Sequence, residues 1–180
     1  MEGKSRINLG KIAGLKLSAD PSALVTALLL WLLFAVLGLW LLDRSPLAAL
    51  LGGLGAVILH YASEIWHQLG HATAARSTGH PMVGINLWGP LSSSIYPANE
   101  PPLPRSVHMR RALGGPLASL VLTALALITV LVLAVNSTLW WLALFLFADN
   151  LLVFTLGSFL PLGFTDGSTL LRLAQEKRAQ

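Results

Sequence analysis

At 180 residues, 54% of them hydrophobic and only 11% charged, with a mean hydropathy of +0.69, the chain is too apolar for a soluble domain of its size and belongs in a membrane. It holds no cysteine, which excludes a disulfide-stapled fold and thiol redox chemistry. A net charge of +4 and a pI near 10.0 do not point to nucleic acid, because the basic residues are scattered between apolar runs instead of forming a stripe.

Four apolar stretches, about 21–42, 46–76, 112–135 and 138–161, reach the roughly 20 helical residues that a hydrocarbon core requires. The first begins Asp20-Pro21 and the second Ser45-Pro46, each a capping side chain followed by proline at the first helical position. Basic residues precede the first run, but it is longer than a signal-peptide core and no small-x-small cleavage site follows, so it is expected to remain as a span. Gly52-Gly53-Leu54-Gly55 loosens the second run, which is longer than one crossing needs, and reads as a kink or a close helix contact. Between the second and third runs, the proline-rich stretch 79–108 alternates in polarity over Val83 to Trp88. This reads as a strand or re-entrant loop, which needs protein or water around it. Gly115, Ser119 and Thr123 form a small-residue contact face on the third run, and Trp140-Trp141 suits a membrane boundary.

Eleven of the twelve Lys and Arg residues lie in three places: the N-terminus (Lys4, Arg6, Lys11, Lys16), the long loop (Arg76, Arg105, Arg110, Arg111) and the tail (Arg172, Lys177, Arg178). Only Arg44 falls in the short opposite loops, so the positive-inside rule predicts that both termini and the long loop are cytoplasmic.

Inside the second run, His60, Glu64, His67 and His71 follow one another at spacings of four, three and four, on one helical stripe. Ionisable groups at membrane depth usually face a bundle interior and a function. A lone histidine there would simply bond a neighbouring helix. Two imidazoles one turn apart, however, can both reach one zinc ion at about 2.0–2.1 Å while the helix stays intact. A third ligand must come from elsewhere, and Asp166 is the best candidate. It comes after the fourth run in Pro161-Leu162-Gly163-Phe164-Thr165-Asp166-Gly167, where Pro and Gly can break the helix and turn a carboxylate inward. The competing reading of Asp166 is a cap for a tail helix.

At these residues the sequence resembles the site-2 protease family of intramembrane zinc metalloproteases, over about residues 6–173. The family signature is His-Glu-x-x-His in one span and Asp-Gly at a later one; here they read His67-Gln68-Leu69-Gly70-His71 and Phe164-Thr165-Asp166-Gly167. The strand-like Ile12 to Leu17, Gly79-His80-Pro81-Met82-Val83, Gly115-Pro116 and Asn150 fit the same pattern in order. The resemblance implies an all-α polytopic membrane protein of about four spans with a short β-strand or re-entrant element, a minimal core without added PDZ or CBS domains. It divides the chain into a cytoplasmic strand-like segment 1–20, a transmembrane metalloprotease core 21–173 and a cytoplasmic tail 174–180. It further implies that His67, His71 and Asp166 ligate zinc, that an activated water attacks a peptide bond of a transmembrane substrate within the lipid bilayer, and that Ile85 to Tyr96 docks the unwound substrate as an edge strand.

Gln68 departs from this pattern, because the family has the catalytic glutamate there as general base. An amide cannot accept and return a proton near neutral pH, so the chain is expected to retain metal and lose proteolysis, at a cost of at least ~10²–10⁴-fold. Gln68 is either a substitution that traps an inactive form or the native residue of a metal-binding pseudoprotease. Two further departures are Ser158, where the family has an asparagine that contacts the substrate carbonyl, and Ser119, where it has another asparagine; Ser158 tilts the balance toward a natural variant. Ser158 can still donate one hydrogen bond to that carbonyl. Glu64 is a weaker candidate for base or fourth ligand. A helical bundle using His60, His67 and His71 for haem or another metal remains a separate alternative. The Ser92-Ser93-Ser94 run has no recognisable acid–base partner and reads as strand edge.

Overall fold

The computed structural model describes residues 6–178; Lys4, counted in the charge argument, lies outside them. Strands β1 (Ile7–Ile12) and β2 (Leu15–Ala19) open the chain, with Ala13 and Gly14 between them at φ of 49° and 84°. Two consecutive left-handed residues are what a type I′ hairpin turn requires, so the strand-like run Ile12 to Leu17 is split by a turn and Ile12 pairs with Leu15.

Four helices come next that are long and apolar enough to cross a membrane. They are α1 (Pro21–Trp40), α2 (Pro46–Ser77), α3 (Arg105–Val132) and α4 (Thr138–Asp149), the last continuing as a π-helical segment, Asn150–Leu156, and a 3₁₀ turn, Gly157–Phe159. α1 and α2 begin at the expected prolines, and the Ser45 hydroxyl accepts the Ala48 N–H. Leu24, Val25, Leu28, Leu29, Leu32 and Leu33 stand exposed along α1, with comparable rows on α2 and α3. Water would not tolerate that surface, whereas lipid requires it, and the chain is an integral membrane protein.

Two features went unread in the sequence. α3 starts at Arg105 instead of near 112, because its first two turns are polar and carry no hydropathy signal; Pro104 immediately before it was the available cue. The π segment begins at Asn150, which is fully buried and whose amide donates to Ser63 Oγ (2.8 Å) and to the Leu146 carbonyl (2.9 Å). A side chain inserted into the helical ladder in this way is a usual cause of such widening.

The stretch between α2 and α3 forms the hairpin β3 (Gly84–Trp88) and β4 (Leu91–Ile95), turned at Gly89 and Pro90. β3 pairs in parallel with β2, from Lys16↔Gly84 to Ala19↔Leu87, with α1 and α2 as the crossover, and the sheet runs β1-β2-β3-β4. β4 is therefore a terminal strand. Leu15, Met82 and Ile85 of the sheet region pack on Ala72 and Ala75 at the end of α2, which fixes the sheet against that helix. After α4 the chain breaks at Leu160 to Thr165, with Gly163 at φ 89°, and re-enters a helix as α5 (Asp166–Arg178).

α2 and α3 approach most closely through Gly70 and Gly114: a Cβ on Gly114 would lie 2.5 Å from the Gly70 carbonyl oxygen and 2.7 Å from the Ala74 Cβ. Gly114→Ala is expected to destabilise the bundle by about 1–3 kcal/mol, lowering its thermal midpoint. Gly52→Ala, with nothing within 4 Å of the added methyl, should leave it unchanged or raise it slightly. A Gly114→Ala midpoint equal to that of the unaltered chain would contradict the close approach.

Candidate metal centre

His67 and His71 stand on successive turns of α2, and Asp166 opens α5 directly after the break that ends the fourth span. Their donor atoms converge. The two Nε2 atoms are 3.0 Å apart, and Asp166 Oδ2 is 3.4 Å from each. Donors at three corners of a tetrahedron, each about 2.0–2.1 Å from its centre, lie about 3.3–3.4 Å apart, close to this triangle.

The outer nitrogens explain which way the rings face. His71 Nδ1 is 2.7 Å from the Arg111 carbonyl, which can only accept, and 3.2 Å from the Gly115 N–H; the shorter contact favours the tautomer with the proton on Nδ1 and Nε2 facing inward. His67 Nδ1 lies 3.0 Å from Ser119 Oγ. With both Nε2 atoms unprotonated, two ring lone pairs and a carboxylate oxygen converge on one point, a donor set that fits a metal ion. α3 backs against the pair at Gly115, where a Cβ would collide with the Nε2 atoms of both rings; only glycine leaves that hollow open.

Arg111 secures the same corner with its side chain. Its guanidinium donates to both carboxylate oxygens of Glu100 (2.9 and 2.5 Å) and to the His80 carbonyl (2.6 Å), and lies over the Tyr96 ring at 4.0 Å. That bonding holds the Glu100 carboxyl below the usual carboxylate range. The clamp is accordingly complete at neutral pH and is lost as pH falls through that lowered value.

A cavity of about 600 Å³ opens beside the three donors, between α2, β4, α3 and the fourth span. Gln68 lines it, with Oε1 accepting from the Ser94 hydroxyl at 2.7 Å. Glu64 lines it too and accepts from the Ser92 hydroxyl; it stands outside the donor triangle, which among the described residues comprises His67, His71 and Asp166 alone. Ser158 also reaches the cavity, although its hydroxyl donates to the Thr155 carbonyl at 2.8 Å. His60 belongs elsewhere. Its Nδ1 is 3.2 Å from each Asp149 carboxylate oxygen and its Nε2 is 2.8 Å from the Pro90 carbonyl, which leaves neither nitrogen free for haem.

Sequence reasoning missed three partners. Ser119 read as a small contact residue and as a departure from the family's asparagine, not as a partner of His67, and Asp149 was not singled out, though an acid beside a buried histidine stripe is a usable signal. The Arg111 carbonyl is backbone and leaves no trace in residue identity. Ser119→Ala should weaken metal binding by about 10–100-fold, measured by chelator competition, because it frees the His67 ring to turn; unchanged affinity would remove Ser119 from that role.

No protein-family model matches the chain. Among curated proteins it is 34% identical over 183 aligned positions to "Putative zinc metalloprotease Rip3" of Mycobacterium tuberculosis, in both the H37Rv and Erdman strains. The alignment covers 94% of this chain and 43% of the relative, so the chain spans less than half the length of the curated proteins it matches. Among solved structures it superposes on the site-2 protease from Methanocaldococcus jannaschii with a TM-score of 0.66 at 22% identity, covering 96% of this chain and 73% of that one. The chain thus shares the fold of that structure and is similar in sequence, across nearly its whole length, to the curated relative.

Proposed function

We propose that the chain holds one zinc ion between α2 and α5 and binds an apolar transmembrane segment in the adjoining cavity, on the scaffold of an intramembrane metalloprotease whose proteolysis is silenced by Gln68. The carrying observation is the convergence of His67 Nε2, His71 Nε2 and Asp166 Oδ2 within a buried pocket. Three protein ligands of mixed nitrogen and oxygen type, with the cavity on the remaining side, are the donor set of a catalytic rather than a structural zinc site. Zinc held there supplies Lewis acidity, polarising a carbonyl and acidifying water.

The chain's own residues set how far that chemistry can proceed. The proton on His71 Nδ1, held by the Arg111 carbonyl, keeps that ring's Nε2 lone pair directed at the metal position. At the position of the general base, the Gln68 amide accepts one hydrogen bond from Ser94 and cannot take up a proton. Substrate binding survives this, because the free edge of β4 lies along the cavity and offers unpaired backbone groups to an extended segment. Placing 21–173 in the bilayer as the core, with 1–20 and 174–180 at the cytoplasmic face, accords with the distribution of Lys and Arg.

Zinc-loaded chain and its Gln68→Glu variant, each presented with single-span substrates in bilayers, test the reading. Cleavage is expected from the Glu variant, at least ~10²–10⁴-fold above the chain itself. Absence of cleavage by both, with zinc confirmed, would overturn the silenced-protease reading in favour of a pure binding protein. His67→Ala and Asp166→Ala should each release the metal, and unchanged stoichiometry in either would remove that residue from the site. Because the chain contains no cysteine, single cysteines at Lys4 and Arg178 report orientation cleanly. They should label only from the cytoplasmic side, and labelling from outside would contradict the topology.

A further inference from the structure

Gln68 and Glu64 share an arrangement that the zinc chemistry does not explain. His60, Glu64 and Gln68 stand at four-residue intervals on α2, and each meets a group on the β3–β4 hairpin at two-residue intervals. His60 Nε2 lies 2.8 Å from the Pro90 carbonyl, Glu64 accepts from the Ser92 hydroxyl, and Gln68 Oε1 accepts from the Ser94 hydroxyl at 2.7 Å. The two periodicities match physically. Four helical residues rise about 6.0 Å, and two strand residues about 6.6–6.8 Å. Helix and strand therefore run side by side in the same direction, with one rung per helical step.

We infer that this three-rung ladder sets the register and tilt of β4, and that Ser92 and Ser94 act as positioning residues for a substrate strand paired to its free edge. The inference rests on the proposed docking of substrate along β4 and adds to it the device that decides which substrate residue is presented to the metal position. Side chains of a strand stand perpendicular to its sheet, whereas its hydrogen-bonding edge lies in the plane. Two of the three rungs grip β4 at the hydroxyls of Ser92 and Ser94, and the first holds the Pro90 carbonyl just before the strand. The hydroxyls of Ser92 and Ser94 face α2, while Ser93 between them is exposed. Asp149 from α4 braces the first rung, with both its oxygens 3.2 Å from His60 Nδ1, so α2 and α4 together hold the hairpin's position. The two-residue turn at Gly89 and Pro90 fixes β4 against β3, and the side chains on α2 fix it against the helix that carries the two imidazoles. The ladder also assigns Gln68 a task an amide performs as well as a carboxylate, since either accepts from Ser94.

The test uses the zinc-loaded chain in bilayers with a single-span peptide that carries a photoreactive phenylalanine derivative at successive positions, the crosslinks to β4 being mapped by mass spectrometry. In the unaltered chain, crosslinking to Ser93 should peak at one peptide position. In the Ser92→Ala/Ser94→Ala double variant it should spread over neighbouring positions, and Ser92→Thr/Ser94→Thr, which keeps both hydroxyls, should restore the single peak. Bound zinc at one per chain in every variant shows that the fold is intact. A single peak retained in the alanine variant would overturn the ladder's role, and so would spreading that the threonine variant fails to correct. Absence of any crosslink to β4 in the unaltered chain would instead remove the strand-docking reading itself, and with it the need for a register device.

Discussion

The structure depends on one constraint: α2 carries a row of polar side chains through a hydrocarbon environment, and each must be given a partner there. His60, Ser63, Glu64, His67, Gln68 and His71 are all buried on this helix. Unpaired, each would cost kilocalories in a medium that offers no water. The neighbouring elements are arranged as answers to that demand. α4 supplies Asp149 and the fourth span Asn150, α3 supplies Ser119 and the Arg111 carbonyl, β4 supplies Ser92 and Ser94, and α5 supplies Asp166.

Close packing makes those partners reachable. Gly70 and Gly114 bring α2 and α3 into backbone contact, and Gly53 does the same toward Ala35 on α1. Beside Gly114 on α3, Gly115 lets the backbone lie against both imidazoles, so a single small-residue face serves helix packing and the candidate metal site together. α5 joins the assembly through Gly167, where an added Cβ would collide with the Phe159 carbonyl; the residue after the proposed ligand is thus as constrained as the ligand.

Much of this was legible in the sequence, for reasons that differ by residue. The spans declared themselves through length and hydropathy, their first two starts through Pro21 and Pro46, and the hairpin partly through alternation over Val83 to Trp88. His67, His71 and Asp166 could be singled out because ionisable side chains are rare inside apolar runs and because His pairs at a four-residue spacing share a helical face. What stayed hidden depends on three-dimensional partners. Ser119 looks like any small residue until the His67 ring is placed beside it, and the pairing of His60 with Asp149 joins residues 89 positions apart. The π segment at Asn150 likewise arises from a cross-helix bond to Ser63 that no local propensity encodes.

The central claim is that two imidazole nitrogens of α2 and one carboxylate oxygen of α5 share a single metal ion. X-ray absorption at the zinc edge, on chain purified from membranes, addresses it most directly. The account predicts one zinc per chain, four-coordinate, with two imidazoles and oxygen at about 2.0–2.1 Å. A chain that takes up no zinc, or holds it in a six-coordinate shell of oxygens without imidazole, would contradict it.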